Sequence, residues 1–314
     1  MQVFRGVPQR ADRPLALTIG NFDGVHLGHR AMLASLGDAA HARGLPAALL
    51  TFEPQPQEFF APDQAPARLT SLREKLELLA QCAVQRVYVA RFDYRFAQLS
   101  AEAFVADVLA RGLDARWLLV GDDFRFGARR SGDFGLLQRL APRFGFEVHA
   151  MHSVAIDGMR VSSTAVRACL DAGDLEQAHR LLGRRYSITG RVVRGDNLGE
   201  KLGYPTANVR LNRLRAPLTG IFVVEVGGVG PHPHPGVASL GLRPTVKEGG
   251  QPTLEVHLLD FDGRIYGRRI TVRFLTKLRD EAKFATVDEL VAQIGRDVEA
   301  ARRYFDRPAT AASN

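Results

Sequence analysis

Between residue 15 and about residue 182 the chain alternates short, nearly continuous apolar runs with stretches of helical periodicity, and no other feature restricts its fold as much. The runs are LALTIG (15–20), AALLTFEP (47–54), RVYVARF (86–92), RWLLVGDDF (116–124) and EVHAMHS (147–153). Helical patterns at 29–43, 71–82 and 101–111 separate them, the last with Ser100 as its N-cap. Strands that are apolar throughout must be covered on both faces, so the pattern predicts a parallel sheet wound with helices on either side. Ligands of such sheets lie beyond the carboxyl ends of the strands. That singles out the turns after each run: Gly20 to His29, Glu53 to Pro56 and Gly121 to Gly127.

After Gly183 the periodicity changes. SITGRVV, TANVRL, GIFVVEVGG, GVASLG, TLEVHLLDF and RRITVRFLTKL are short strand-like runs divided by Gly, Pro and Asp turns, with no helix read before Thr286. This predicts an antiparallel β-barrel. TVDELVAQIGRDVEAARRYF closes the pattern as an amphipathic helix, with Leu290, Ile294, Val298, Ala301 and Phe305 on one face and a Thr286/Glu289 capping box. With 314 residues the chain exceeds the usual size of one hydrophobic core. The expected domains are 1–184 and 185–314.

The formal net charge is +8, with Lys and Arg dispersed and no block of like charges. An anionic partner is implied, whether nucleic acid, acidic membrane or a phosphorylated metabolite, but a nucleic-acid tail is not indicated. Cys82 and Cys169 show neither CxxC nor zinc spacing and read as reduced thiols. The polar N-terminus lacks a signal-peptide core, and no apolar run approaches the roughly 20 residues of a membrane span. A cytoplasmic protein without membrane or nucleic-acid partners, a monomer or weak oligomer, is expected.

The turn after the first run holds the sharpest chemistry. In TIGNFDGVHLGHRAML, His26 and His29 stand three residues apart where a strand passes into a helix starting near His26 or Leu27. A helix start presents unpaired N–H groups and a partial positive charge, which favours phosphate. Imidazoles at i and i+3 share one face of that first turn and can add donors to a leaving pyrophosphate. Gly24 and Gly28 admit a nucleotide close to the backbone. Metal binding is the weaker reading, because HExxH-type sites use i, i+4 spacing with a glutamate.

GNFDGVHLGH resembles the HxGH signature of nucleotidylyltransferases, in the form found in bacterial bifunctional riboflavin kinase/FAD synthetases. TFEPQP (51–56), VGDDFRFG (120–127) and VSSTAVR (161–167) resemble further motifs of that family, with Gln55 where many members carry His. The resemblance implies that Gly20, Phe22, Asp23, Gly28, Ser163, Thr164 and Arg167 contact ATP, that His26 and His29 serve adenylyl transfer, and that Asp123 and Phe124 contact the flavin. Apart from the resemblance, Ser162 to Thr164 open a helix and Arg167 follows one turn later, which would suit phosphate, but taken alone a Ser/Thr N-cap followed by a surface arginine is the better reading. For Asp23, bonding to adjacent backbone stands level with a ligand role.

GRVVRGDNLGEKLGYPTANV (190–209) is not a Walker A loop, since Lys201 is followed by Leu202 and the glycines are too close. It is similar to the glycine-rich and P-T-A-N stretch of riboflavin kinases. The resemblance implies ATP contacts from Gly195, Gly199 and Lys201, and Mg²⁺ held by Thr206 and Asn208. In TLEVHLLDF, Glu255 and His257 share a strand face, and a glutamate in an apolar strand is costly unless exposed or working. Glu255 maps onto the family's general base; His257 reads as structural. GLRPTV (241–246) resembles another family turn, with Val246 replacing Phe, and the PATAASN tail reads as disordered. Together these motifs imply a bifunctional transferase: ATP and riboflavin give FMN, then ATP and FMN give FAD and pyrophosphate. Two rivals remain open: an HxGH enzyme acting on another phosphorylated acceptor, and a basic barrel that binds nucleic acid. The barrel sequence lacks the clustered aromatics that stacking on bases requires.

Overall fold

The computed structural model describes residues 1–195, 198–211, 213–242 and 252–306. Arg243 to Val246 of the GLRPTV turn, two residues of the glycine-rich stretch and the C-terminal tail lie outside the described residues. The chain forms two compact units, Met1–Pro66 with Leu72–Ser162, and Ala67–Ser71 with the chain from Ser163 onward.

The first unit is a six-stranded parallel sheet. Its strands are β1 (Gln2–Arg5), β2 (Leu15–Ile19), β3 (Ala47–Glu53), β4 (Arg86–Arg91), β5 (Ala115–Gly121) and β6 (Glu147–Met151), in the order β1-β4-β3-β2-β5-β6. Every residue of β2 is buried, and its alternation divides the core. Leu15, Leu17 and Ile19 face one cluster with Leu50 and Leu118, whereas Ala16 faces the other with Leu49 and Leu119. Helix α1 (Leu27–Ala42) covers the second face through Leu33, Leu36 and Ala40. A helical stretch over residues 101–112 and the helix Phe134–Phe144 cover the first, through Phe104, Leu109 and Leu137. Each buried leucine contributes about 1.5–3 kcal/mol, which is why this pattern dictates layering so firmly. Two short helices complete the side that matters below: α2 (Pro56–Phe60) and α3 (Leu72–Leu79).

The structure departs from the sequence reading in two places. Gln2–Arg5 adds an edge strand, parallel to β4 and held where Phe4 stacks on Tyr88 and Asp12 forms a bidentate pair with buried Arg86. That strand has one short alternation and no buried run, so periodicity does not reveal it. Helix α1 begins at Leu27 with His26 as its N-cap, where the turn chemistry places the start. The segment after Gly183, read as free of helix before Thr286, contains a one-turn helix at Leu198–Lys201.

The second unit opens with helices α7 (Ser163–Asp171) and α8 (Leu175–Leu182), the latter ended by Gly183 in the left-handed region. It continues as a closed antiparallel barrel. The barrel strands are β9 (Ser187–Val193), β10 (Ala207–Arg210), β11 (Gly220–Gly227), β12 (His234–Leu242), β13 (Pro252–Leu258) and β14 (Arg269–Arg279), in the cyclic order β10-β13-β12-β11-β14-β9. Strand β11 is apolar from Ile221 to Val224, where both faces are covered, and its one charged residue, Glu225, accepts from Arg273 at 2.8 Å. Phe222 meets Phe274 edge to face, while Ile221 and Val223 pack with Val298 and Ala301 of helix α10 (Val287–Phe305). Thr286 caps α10 by accepting from the Glu289 backbone N–H, but the Glu289 carboxylate reaches back to Ala285 and not to the cap residue itself. Two bidentate pairs clasp the helix, Arg279 to Asp297 and Arg302 to Asp260. Among the described residues no helix is long and apolar enough to cross a membrane.

Candidate active sites

In the first unit, the chain leaves β2 through a turn that is both strained and buried. Phe22 (φ 48°) and Val25 (φ 40°) occupy the left-handed region, with Gly24 between them at φ 81°. Such conformations cost about 1–3 kcal/mol each for residues with side chains and persist only where packing over-determines them. Here it does, since Phe22 and Val25 are each 1% exposed. The turn delivers His26 to the N-cap of α1, where its Nδ1 accepts the His29 backbone N–H at 3.2 Å. In the neutral ring this leaves the proton on Nε2. The two imidazoles stack at 3.6 Å between centroids, and Phe22 lies 4.6 Å from the His29 ring.

The pair is therefore more enclosed than two donors on an open helix turn. His26 is 5% exposed and spends one nitrogen on the cap. His29 Nδ1 is buried without a hydrogen-bond partner. Burial, then the charges of His26 and Lys75, hold the His29 imidazole well below the ordinary histidine range, so the ring is neutral. Gly28 is required by closeness: a Cβ there would lie 3.2 Å from the His26 ring and 3.3 Å from the Val161 carbonyl oxygen. Gly20 sits against the Phe22 ring in the same way. Asp23 is buried in this turn.

Gln55 is buried at the start of α2, its backbone N–H donating to Glu58 Oε2 at 3.0 Å and its Nε2 without a partner. Asp123 is exposed and paired with Arg160 at 2.9 Å, and Phe124 stacks on Phe126. Sequence reasoning missed a ridge of aromatic rings at the same end of the sheet. Phe59 and Phe60 both meet Phe92, which meets Phe96, and Phe96 meets Phe104. Phe60 is largely exposed. The signal was there, as the phenylalanines fall just past two strand ends, but spacing alone does not distinguish a ridge from core. Ser163, Thr164 and Arg167 belong to α7 of the second unit, where Arg167 Nε donates to the Ala67 carbonyl at 2.7 Å.

In the barrel, strand register assembles the site. Glu255 on β13 stands opposite Asn208 on β10 and opposite Ser239 on β12. The Thr206 hydroxyl donates to Glu255 Oε2 at 3.4 Å. Glycines press against both neutral donors. A Cβ on Gly195 would fall 2.2 Å from Asn208 Nδ2, and one on Gly199 2.4 Å from the Tyr204 carbonyl oxygen and 3.1 Å from Thr206 Oγ1. Lys201, at the end of the one-turn helix, is exposed. His257 is turned to the adjacent loop, its Nδ1 2.9 Å from the Pro205 carbonyl oxygen, which fits a structural part. Thr206, Ser239 and Glu255 line a cavity of about 260 Å³ together with Phe284, Ile294 and Asp297 among others. Phe284 and Ile294 supply an apolar wall; Glu255 and Thr206 supply the polar end.

A histidine-capped helix start on a parallel sheet, with a six-stranded barrel presenting a carboxylate beside hydroxyl and amide oxygens, defines a class: a two-part, nucleotide-dependent transferase. Residues 8–165 match the sequence model of the FAD synthetase family, and residues 182–305 that of riboflavin kinase. Curated bifunctional riboflavin kinase/FMN adenylyltransferases are similar over nearly the whole chain. That of Escherichia coli K12 is 51% identical over 97% of this chain and 98% of its own length. Those of Pseudomonas fluorescens and Haemophilus influenzae are 49% and 46% identical, covering 96% and 98% of this chain and 97% and 100% of their own. A crystal structure described as a macrolide-efflux protein from Streptococcus pneumoniae superposes with a TM-score of 0.80 at 30% identity, over 96% of this chain and 99% of that one. The chain belongs to the bifunctional riboflavin kinase/FMN adenylyltransferase family.

Proposed function

We propose that the family's two activities divide along the chain at residues 184/185, with riboflavin phosphorylated by 185–314 and FMN adenylylated by 1–184. The observation that carries this is the separate clustering of two donor sets, His26 with His29 and Thr206 with Asn208 and Glu255. In the kinase reaction the riboflavin 5′-hydroxyl oxygen attacks the γ-phosphorus of ATP while Glu255 accepts its proton. The bond from the γ-phosphorus to the β–γ bridging oxygen breaks and ADP leaves. ATP-dependent transfer of both kinds implies a divalent metal, and the donor set suits Mg²⁺: hard, neutral oxygens from Thr206 and Asn208. By donating its proton to Glu255, the Thr206 hydroxyl keeps lone pairs for a cation. Thr206 and Asn208 would hold Mg²⁺ there, and the ion would supply charge neutralisation for the ATP phosphates. Gly195, Gly199 and Lys201 lie along the stretch that would follow those phosphates.

In the second reaction an FMN phosphate oxygen attacks the α-phosphorus of ATP, the bond to the α–β bridging oxygen breaks, and pyrophosphate leaves. No covalent enzyme intermediate is needed; position and charge stabilisation suffice. His26 Nε2–H and the start of α1 are donors for the pyrophosphate, with Gly20, Phe22, Asp23 and Gly28 shaping the turn. Ser163, Thr164 and Arg167 are further phosphate contacts in this reading. Phe124 and the Phe59–Phe60–Phe92 ridge offer a surface for the isoalloxazine, and Asp123 a polar contact for the flavin if it exchanges its Arg160 partner. Small-molecule substrates account for the whole site chemistry, without nucleic acid, membrane or an obligate second subunit. The cytoplasm, which supplies ATP and keeps the thiols of Cys82 and Cys169 reduced, is the assigned compartment. The test is incubation with riboflavin, ATP and Mg²⁺ followed by chromatography of the flavins. FMN and FAD are expected; FAD formed only from supplied FMN removes the barrel assignment, and no FAD from either flavin removes the first.

A further inference from the structure

Among the described residues Lys75 is the one buried lysine, at 0% exposure. It stands midway along α3 (LREKLELL), where a leucine would bury at a gain and an ammonium buries at a cost. Its Nζ donates to the Thr51 hydroxyl at 3.4 Å, on β3, and that hydroxyl donates to the Asn21 carbonyl at 3.3 Å. Asn21 opens the strained turn through Phe22 and Val25 that ends at the His26 cap. A charged donor at the head of such a relay polarises the hydroxyl and strengthens its bond to the carbonyl.

We propose that Lys75 is a positioning residue for adenylyl transfer, its ammonium fixing, through Thr51 and Asn21, the turn that sets His26 and His29. This rests on the reading of the histidine pair as the adenylyl-transfer site. The alternative, a lysine that merely fills core volume, leaves unexplained why the relay ends on the carbonyl at the mouth of the strained turn that carries His26 and His29. Lys75 has a second effect. His26, stacked on His29 from the helix cap, and Lys75 from α3 both act on the titration of His29. The positive charge of Lys75 adds to burial in disfavouring the imidazolium.

The two effects separate experimentally in the full-length protein, with adenylylation of supplied FMN followed across the pH range in which histidine titrates. Lys75→Met removes charge and donor. It is expected to lower kcat for adenylylation on the order of 10²-fold, as displaced catalytic groups do, and to move the acid limb of the profile to higher pH. Lys75→Gln keeps a donor without the charge; it should recover part of the kcat and still show the shifted limb. Thr51→Val keeps the charge and interrupts the relay, so kcat falls while the limb stays, and it carries the test if Lys75→Met does not fold. Riboflavin phosphorylation is expected at the parent rate in all three. Lys75→Met or Thr51→Val at the parent kcat overturns the proposal, as does an unshifted acid limb in Lys75→Met. His29→Ala is run alongside: if it retains adenylylation, the reading of the histidine pair fails; if it is inactive while Lys75→Met is not, only the role of Lys75 does.

Discussion

The two sites are built by opposite means. That of the first unit is a short turn bent into unfavourable backbone conformations and held there by buried Phe22 and Val25, so its geometry depends on the core beneath it. That of the barrel needs no unusual backbone at its key residues. Glu255, Asn208 and Ser239 meet because three strands are in register, and glycines let the neighbouring loop close on them. Catalytic geometry can therefore be stored either as local strain or as strand pairing. The first is sensitive to what lies underneath, the second to what lies alongside.

The largest expected effect tests the independence of the two. Glu255→Ala should cut FMN formation by about 10²–10⁴-fold, the usual worth of a positioned general base, with adenylylation of supplied FMN unchanged in the same preparation. Next, His29→Ala should do the reverse, lowering adenylylation by roughly 10²-fold as one stabilising group is lost; loss of both activities in a folded protein would break the comparison. Gly199→Ala probes what lies alongside the barrel site. Its methyl would meet the Tyr204 carbonyl at 2.4 Å, so the loop must shift. A loss of about tenfold in riboflavin phosphorylation is expected, read as kcat and KM against the parent, while adenylylation holds.

The smallest effect is on stability and concerns the edge of the sheet. Pairing with Arg86 lowers the Asp12 carboxyl to about 2. Its unfolded value is about 3.9, so the pair contributes fully above that pH and its contribution fades as the medium is acidified toward 2. Asp12→Asn should lower the melting temperature at neutral pH by a small amount. The gap to the parent should close as the pH falls through that window, and a gap that persists at the acid end would mean the residue acts through something other than its charge.

Much of this was readable beforehand, and the limits follow from physics. Leu15 to Ile19 and Ala47 to Phe52 announced a two-sided sheet because burial on both faces leaves no room for polar residues. The turn at Gly20–His29 was found because a buried strand ending in glycines and histidines has few structural uses. The enclosure of His29 was not legible: it depends on Phe22 folding back, and nothing in the spacing of NFDGVH sets that dihedral. Lys75 was invisible for a related reason, since in LREKLELL it looks like any solvated helix lysine. Asp297 hid similarly within the amphipathic pattern of α10, where the cavity and Arg279 make a polar residue welcome on the inner side. The short edge strand Gln2–Arg5 is held mainly by tertiary contacts, which periodicity does not encode.

The closed barrel carries a consequence for how the protein behaves when stressed. A barrel whose last strand pairs with its first leaves no row of free amide and carbonyl groups, whereas the parallel sheet ends in β1 on one side and β6 on the other. Short length and a charged ladder of Glu147, Arg43 and His149 blunt those two borders. On warming, intermolecular strand addition is expected to start there, so turbidity should track loss of the four-residue strand and its Asp12–Arg86 anchor while the barrel remains monomeric in its pairing.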